Sequence, residues 1–182
     1  MNSPLNPTQQ LPARTLYLQP PTPPDMAFIR HLWSDPETMR PVGGPILLTD
    51  MEAATWYAHM VDPGRGTDCY CLIRLLDGTP VGEISFHRLN PADMSADLNI
   101  KVMASARGRG IGREALRRFV DFFFRDFGGR TLNDKVAPGN AAGQAALAVL
   151  GFRLLRREPD GVCFQMTRAG YDAMIERDAG RP

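Results

Sequence analysis

The sequence predicts an α+β fold in which a mixed, mostly antiparallel sheet is flanked by helices on both faces. Three observations predict this fold. Apolar runs at 69–76 and 81–87 flank an Asp-Gly turn, which is typical of a β-hairpin. The segment 97–103 alternates apolar and polar residues, as a half-buried strand does. The stretch 111–127 then repeats apolar residues at helical spacing, and a glycine-rich turn joins it to that strand.

Turn and capping residues place the elements that precede the hairpin. The proline-rich stretch 20–24 ends a first short strand, and Asp25 can cap the helix that follows it. The segment 34–37 is expected to break that helix. Thr49, with Glu52 three residues later, forms a capping box for a second helix. The predicted elements are therefore a strand at 15–18, a helix at 26–33 and a helix from 49 to about 60.

Further elements follow the glycine-rich turn. The double glycine at 128–129 ends the long helix. A strand is expected at 131–136, and a right-handed crossover makes it parallel to the strand at 97–103. Asn140 begins an alanine-rich helix that Gly151 ends. The last predicted elements are the two strands of a hairpin, at 152–157 and 162–167.

Length and composition predict one domain and exclude several classes of function. The 182 residues carry a formal net charge of +1, so the overall charge indicates neither a nucleic acid nor a membrane as partner. The sequence has no apolar run of about 18 residues, which a transmembrane helix requires. The first residues lack a signal-peptide pattern, so a cytoplasmic location is expected. The expected organisation is a disordered leader at 1–13, a globular domain at 14–168 and a charged, partly helical C-terminal tail at 169–182.

Cysteine and histidine usage argues against a metal site. The three cysteines, Cys69, Cys71 and Cys163, include no Cys-x-x-Cys pair. The three histidines are scattered and form no His-x-x-x-His pattern. We therefore expect buried structural thiols and no bound metal.

The glycine-rich turn predicts an anion-binding site. Its sequence is Arg-Gly-Arg-Gly-Ile-Gly, from Arg107 to Gly112. Backbone N–H groups at the start of a helix have no intrahelical partner, and the helix dipole adds partial positive charge there. Glycines let the chain approach a phosphate closely, and the arginines add charge-assisted hydrogen bonds. A Rossmann dinucleotide site is disfavoured because Gly108-x-Gly110-x-x-Arg113 lacks the third small residue. An ordinary glycine turn is the remaining alternative.

Two motifs together resemble those of the GCN5-related N-acetyltransferases (GNAT family). The signature of that family is Gln/Arg-x-x-Gly-x-Gly/Ala at a strand-to-helix turn, and Arg107-x-x-Gly110-x-Gly112 matches it. Downstream, Asn140 and the sequence Leu-Gly-Phe at 150–152 look like the Asn…Leu-Gly-Phe segment of the family. The segments 15–22 and 34–37 are similar to the branch that acetylates ribosomal-protein N-termini and to its small-molecule relatives. The resemblance covers residues 14–167.

The resemblance implies a GNAT-like acyl-CoA N-acyltransferase fold, with acetyl-CoA as co-substrate. The glycine-rich turn would hold the pyrophosphate. The pantetheine arm would pair as an extra strand where the strands 97–103 and 131–136 separate. Backbone N–H groups near Val102 and Met103 would polarise the thioester carbonyl, and Asn140 would hydrogen-bond the pantetheine arm. The implied cofactor-binding residues are Val102, Met103, Arg107, Gly108, Arg109, Gly110, Ile111, Gly112, Arg113 and Asn140.

Direct attack by a bound amine requires a base that takes its proton. Two carboxylates are candidates for this catalytic role. Asp97 stands where this branch often has a glutamate, and Glu83 lies in the middle of the preceding strand. Each is equally well explained as a solvated strand residue. Many relatives carry a tyrosine that protonates the leaving thiolate, but that position holds Leu147 here, so the acid is absent or is water, Tyr57 or Tyr171.

This departure leaves two functions open. The first is an acetyl-CoA-dependent N-acetyltransferase that acts on a primary amine of a small molecule or of a protein N-terminus. The alternative is a CoA-binding sensor or interaction module with little catalysis. His31, Trp33 and Arg40 lie where the family forms its acceptor pocket. Homodimers are common in the family, which allows a homodimer here as well.

Overall fold

The predicted elements fold into a seven-stranded sheet that carries helices on each face. The structure, a computed structural model, describes residues 15–180. The leader expected at 1–13 therefore lies outside the described residues. The strands are β1 (Leu16–Gln19), β2 (Cys69–Leu75), β3 (Pro80–Asn90), β4 (Ser95–Val102), β5 (Thr131–Val136), β6 (Arg153–Glu158) and β7 (Gly161–Thr167). The α-helices are α1 (Met26–Ser34), α2 (Pro36–Met39), α3 (Asp50–Met60), α4 (Ile111–Asp121), α5 (Ala141–Leu150) and α6 (Arg168–Ala179).

The sheet is mixed, with a single parallel pair. Its strand order is β1-β2-β3-β4-β5-β7-β6. All neighbouring strands run antiparallel except β4 and β5, which are parallel and are connected through α4. The prediction of a mixed, mostly antiparallel sheet is confirmed, and so is the parallel relation of the strands on either side of the long helix.

Helices cover both faces of the sheet, as predicted. On one face, the ring of Phe86 in β3 packs against Phe119 of α4 and against Phe123, at centroid distances of 6.1 and 5.3 Å. On the other face, the ring of Trp56 in α3 lies edge-on to Trp33 of α1 and to Tyr70 of β2, at 5.2 and 4.7 Å. Because successive side chains of a strand point to opposite faces, the α1 face and the α4 face receive alternate residues of β3 and β4.

The segment 34–37 ends α1 at Ser34, as expected, but a second helix, α2, follows at once. Asp35 is the N-cap of α2, and its carboxylate accepts a hydrogen bond from the backbone N–H of Thr38 at 3.0 Å. Pro36 occupies the first helical position, where a missing N–H does no harm. Thr49 and Glu52 form the predicted capping box of α3. The chain therefore turns from α1 into α2 through a single residue.

Two other elements differ from the sequence-based expectation. The helix predicted at 111–127 is α-helical only to residue 121, and Phe122–Asp126 forms a π-helical turn. The wider turn lets the adjacent side chains of Phe123 and Phe124 both be fully buried. The segment 169–182 was expected to be a charged, partly helical tail outside the domain. It begins inside α6, and Tyr171 and Met174 of that helix belong to the main core.

We predict that Gly82→Ala in β3 destabilises the fold. A Cβ at this position would collide with the backbone oxygen of Lys101 and lie 3.1 Å from the Cα of Val102. Because both obstacles are backbone atoms, the strands would have to move apart, at a cost of about 1–3 kcal/mol in the free energy of unfolding. Urea denaturation measures this difference.

Gly139→Ala is the matched control. A Cβ on Gly139 meets no heavy atom within 4 Å, and its φ is not positive. The control should therefore stay within about 0.5 kcal/mol of the parent protein. Equal stability of the two variants would contradict the close approach of β3 and β4.

Candidate functional site

The sheet opens between β4 and β5. These strands pair only from Ser95 opposite Thr131 to Asp97 opposite Asn133. Beyond this point β4 continues beside β3 alone, and β5 continues beside β7 alone. We call the wedge between residues 98–102 and residues 134–136 the strand gap. An extended, amide-containing ligand could pair with its edges as an added strand would.

The register of β4 decides which backbone groups face the strand gap. The Met103 N–H donates to the carbonyl of Val81 at 2.9 Å, so it points toward β3. Alternate N–H groups of a strand point to opposite edges, which directs those of Val102 and Ile100 into the gap. The expectation for the N–H of Met103 is corrected accordingly. The expectation for Val102 is compatible with the register, and Ile100 joins it as a candidate that the sequence reasoning missed.

The glycine-rich turn lies at the open end of the strand gap. Gly108 and Gly110 have φ of 76° and 80°, a conformation that favours glycine. Gly110 is the N-cap of α4 and has no side chain that could cap it. The first N–H groups of α4, at Ile111, Gly112 and Arg113, are therefore left for an external acceptor. Such an uncapped helix start suits a phosphate group.

The three arginines of this region differ in their surroundings. Arg109 and Arg113 are exposed and form no salt bridge with any residue between 15 and 180. Arg107 instead directs its guanidinium to backbone carbonyls of β4 and α2. The sequence predicts that all three hold the cofactor, and all three are exposed; among them, Arg107 is the one whose guanidinium is hydrogen-bonded within residues 15–180.

Asn140 and Leu147, at the start and in the middle of α5, differ in whether they can reach a ligand. Asn140 is the N-cap of α5, and its Oδ1 accepts a hydrogen bond from the Gly143 N–H at 3.0 Å. Its Nδ2 remains available to donate. Leu147, which stands in place of the usual tyrosine, is 2% exposed and packs in the main core.

Glu83 lies on the α1 face of β3, inside a cage of donors. Its side chain is 2% exposed. Oε1 accepts from the Lys101 ammonium at 2.5 Å, and Oε2 accepts from the Trp33 indole N–H at 2.7 Å and from the Tyr70 hydroxyl. Burial raises the pKa of Glu83 above its ordinary value, and the charge of Lys101 and the hydrogen bonds from Lys101 and Trp33 offset this only in part. Both oxygens are engaged, so the carboxylate is poorly placed to meet a substrate proton.

Asp97 lies at the closed end of the strand gap, which we call the apex. It is the last β4 residue that pairs with β5. Its side chain is 36% exposed and forms an ion pair with the exposed Arg88 at 2.5 Å. An ion pair of this kind is weak and exchanges readily with water or substrate. Asp97 is therefore the more accessible of the two predicted catalytic carboxylates.

A Ser-His-Asp chain lies between these carboxylates and was not foreseen. The Ser85 hydroxyl lies 2.9 Å from His87 Nε2, and His87 Nδ1 lies 3.7 Å from an oxygen of Asp68. Burial lowers the pKa of His87, so its ring is neutral at pH 7. Ser85 is only 1% exposed, so its hydroxyl cannot reach a substrate as a nucleophile. These contacts hold Ser85 and His87 in place on the α1 face of β3.

Asp134, which the sequence did not predict as a site residue, lies just beyond the apex on β5. Side-chain alternation places it on the face of Leu132 and Val136, which belong to the main core. It is half-buried. Burial raises the pKa of Asp134 to about 7, the charge of Asp97 adds to this, and a backbone hydrogen bond from Lys135 opposes it. Near neutral pH this group can both accept and donate a proton.

The three residues predicted to form the acceptor pocket, His31, Trp33 and Arg40, do not lie together in the structure. Trp33 reaches Glu83 as described and lies 5.2 Å beneath the Lys101 ammonium. His31 is exposed and lines a groove with residues 47–48 on the outer side of α1. Arg40 is exposed and forms an ion pair with Glu37 at 3.3 Å. Of these three side chains, only that of Trp33 contacts the sheet.

Neither tyrosine considered as a general acid lies at the strand gap. The Tyr57 hydroxyl donates to the Pro21 carbonyl, and the Tyr171 hydroxyl donates to Asp121 on the other face of the sheet. Burial is the main cause that raises the pKa of both phenols.

From residue 15 to residue 180, no cluster of three or more metal-ligating side chains is found. None of the helices in that range is long and apolar enough to cross a membrane.

Comparison with known proteins provides an independent result. The family model described as an acetyltransferase (GNAT) domain matches residues 15–153. None of the curated proteins gives a significant match.

Solved structures show the same fold at low identity. The spermidine N-acetyltransferase from Vibrio cholerae in complex with CoA and spermine superposes with a TM-score of 0.78 at 17% identity, over 86% of this chain and 98% of that chain. A chimera of that enzyme with hSSAT gives a TM-score of 0.77 at 17% identity, over 87% of this chain and 98% of that chain. At this level of identity the likeness shows the fold alone.

We predict that Asp134→Asn changes how stability depends on pH. Because the folded-state pKa of Asp134 is raised, the wild-type protein loses stability as pH rises from about 4 to about 7, by up to about 4 kcal/mol. The variant lacks this loss, so its advantage over the wild type should grow across that window and then level off. Urea denaturation at pH 5 and pH 8 measures the difference.

The exposed Asp126 offers a control for this experiment. Asp126→Asn should retain the pH dependence of the wild-type protein. A constant difference between Asp134→Asn and wild type at both pH values would show that Asp134 titrates as an ordinary carboxylate.

Proposed function

The chain belongs to the GNAT acetyltransferase family, and we propose that it uses acetyl-CoA to acetylate a primary amine by direct attack in a ternary complex. The observation that carries this proposal is the strand gap, which ends beside an uncapped helix start. The gap offers unpaired strand edges to an amide-containing arm, and the helix start offers N–H donors to a pyrophosphate. The residues present therefore fit acetyl-CoA.

The cofactor roles follow from this placement. The N–H groups at the start of α4 would hold the pyrophosphate, with Arg109 and Arg113 adding charge. The N–H groups of Val102 and Ile100 would pair with the arm and donate to the thioester carbonyl, where negative charge develops. Asn140 would donate through its Nδ2 to the pantetheine arm. Acetyl-CoA supplies the activated acyl group.

We assign the base to Asp97 in preference to Glu83. Asp97 is accessible at the apex, where the tip of an arm that enters from the glycine-rich turn would arrive. It can take the proton of the attacking amine directly or through one water molecule. Glu83 has both oxygens engaged and instead fixes Lys101, Trp33 and Tyr70 beneath the acceptor. The amine nitrogen then forms the amide bond while the thiolate of CoA leaves.

The acceptor side carries four acidic side chains between residues 35 and 52, namely Asp35, Glu37, Asp50 and Glu52. Asp35 and Glu52 are hydrogen-bonded to threonines, which leave their negative charge in place, and the ion pairs of Glu37 with Arg40 and of Asp50 with Arg30 are exposed and therefore weak. These side chains do not discriminate between kinds of amine, so we propose a primary amine of a small molecule or of a protein N-terminus as the acceptor.

The second candidate function, a CoA-binding sensor with little catalysis, is favoured by Leu147. Titration calorimetry with acetyl-CoA, followed by a thiol-release assay on a panel of amines, separates the two functions. The panel includes spermidine, monoamines and short peptides with free N-termini. Binding with thiol release supports the transferase, and binding without release supports the sensor. Absence of binding would overturn both.

We predict that Gly110→Asp abolishes acetyl-CoA binding. The side chain would adopt a φ of 80° and place a negative charge where the pyrophosphate is proposed to lie. The dissociation constant should rise at least about a hundredfold, the effect of about 3 kcal/mol. Titration calorimetry provides the measurement.

Gly128→Asp is the matched control for this variant. Gly128 also has a positive φ, 83°, and open space around its Cα, but it lies beyond the other end of the long helix. The Gly128→Asp variant introduces the same backbone strain and the same charge, but far from the glycine-rich turn. If both variants weakened binding equally, the pyrophosphate assignment would fail.

We predict opposite phenotypes for the two catalytic candidates. Asp97→Asn should lower kcat by about a hundredfold or more, with acetyl-CoA binding and stability retained. Glu83→Gln should mainly lower the free energy of unfolding, by about 3–5 kcal/mol, because it leaves the Lys101 ammonium buried without its counter-charge. Steady-state kinetics and urea denaturation of both variants test this. A stable, inactive Glu83→Gln beside a fully active Asp97→Asn would reverse the assignment of the base.

A further inference from the structure

Arg107 connects the glycine-rich turn to α2, on the opposite side of the site. Its Nε donates to the Val102 carbonyl at 3.1 Å. Its two Nη atoms donate to the carbonyls of Glu37 and Thr38, at 3.2 and 2.6 Å. A guanidinium group stays protonated and presents its donors in a rigid, planar fork. The side chain therefore holds the end of β4 and the short helix α2 at a fixed separation.

Thr38 makes the same connection from the other direction. Its hydroxyl oxygen accepts a hydrogen bond from the Ala104 N–H at 2.9 Å, and the hydroxyl donates to the carboxylate of Asp35. Thr38 is 1% exposed, so these polar groups are protected from water. Hydrogen bonds from Thr38 hold the pKa of Asp35 below its ordinary value, which keeps this cap of α2 ionised. Arg107 and Thr38 together form a contact that we call the α2 brace.

The segment that the brace holds forms the acceptor side of the proposed site. Asp35 alone separates α2 from α1, which carries Trp33. Beyond α2 the chain returns to the same place, because the Ile46 N–H donates to the Trp33 carbonyl at 2.8 Å. Residues 33–46 are thus tied to the sheet at one end by Trp33 and to the end of β4 by the α2 brace.

We propose that Arg107 is a positioning residue for the acceptor and not a ligand of the phosphate; this inference rests on the proposed function. Turning the guanidinium toward a phosphate would break three hydrogen bonds to backbone carbonyls, two of them to α2. Arg109 on the same turn and Arg113 in the first turn of α4 form no salt bridge between residues 15 and 180, so they would meet a phosphate without such a loss. The brace sets the distance between the segment 33–46 and the edge of β4, and so the distance between a bound amine and the thioester.

Arg107→Gln and Arg109→Gln form a matched pair for the test. With Arg107→Gln, we expect the acetyl-CoA dissociation constant to stay within about threefold and kcat/KM for the amine to fall about tenfold or more, because misplaced reactants react slowly. With Arg109→Gln, we expect the dissociation constant to rise about tenfold, as loss of one charged hydrogen bond predicts, with little change in the amine KM. Weaker acetyl-CoA binding in Arg107→Gln, equal to that of Arg109→Gln, would overturn the proposal.

Thr38→Val provides a second variant of nearly the same shape. It removes the hydroxyl contacts of the brace and leaves Arg107 in place. We expect its effect on the amine to resemble that of Arg107→Gln, and the double variant to be no worse than the more severe single one, because both changes break one unit. Effects that multiply in the double variant would contradict a shared role.

Hydrogen exchange tests the brace without any turnover. In Arg107→Gln and in Thr38→Val, amides of residues 36–46 should exchange at least about tenfold faster, whereas those of β5 should not change. Unchanged exchange at 36–46 in both variants would overturn the brace itself. If no amine is acetylated by the wild-type protein, the proposed function fails, and this measurement still decides whether Arg107 holds α2.

Discussion

The brevity of the parallel pairing between β4 and β5 is the constraint on which the site depends. Three residue pairs join these strands, and each strand is then held by its antiparallel neighbour on the other side. Both edges of the gap are therefore held in place from outside it. At one end lies the apex, with Asp97, and at the other end lies the uncapped start of α4. A ligand with a phosphate at one end and a reactive group at the other matches this layout.

On the α1 face, the buried carboxylate of Glu83 holds the structure around the site in place. Removing a carboxylate and an ammonium from water is expensive, and the ion pair with Lys101 compensates only if further hydrogen bonds complete it. Trp33 and Tyr70 supply those bonds from α1 and β2. The cluster thus fixes the orientation of α1 on the sheet. In the proposed function Glu83 is thus occupied by its partners, and Asp97 on β4 is the carboxylate that takes the proton of the amine.

Periodicity and turn chemistry were sufficient for the main elements of the fold, because strands, long helices and their caps depend on neighbours in sequence. The four-residue helix α2 was missed since it is too short for a periodic pattern. The separation of β4 and β5 was expected from the family resemblance, and the structure has it. Arg107 matched the family motif, but the direction of its side chain depends on α2, about 70 residues earlier, which no local pattern reveals. Tyr70 and Asp134 became visible only through register, burial and cross-strand contacts.

The scarcity of lysine matters for a protein of this chemistry. Lys101 and Lys135 are the only lysines in the sequence, and arginine supplies the other basic side chains. Lys101 is bound to buried Glu83, and Lys135 is bound to Glu158 and Asp160 at 2.7 and 2.8 Å. Lysine is the side chain that becomes acetylated, whereas a guanidinium stays charged and is a poor nucleophile. The folded chain therefore presents few side-chain amines that could compete with the acceptor.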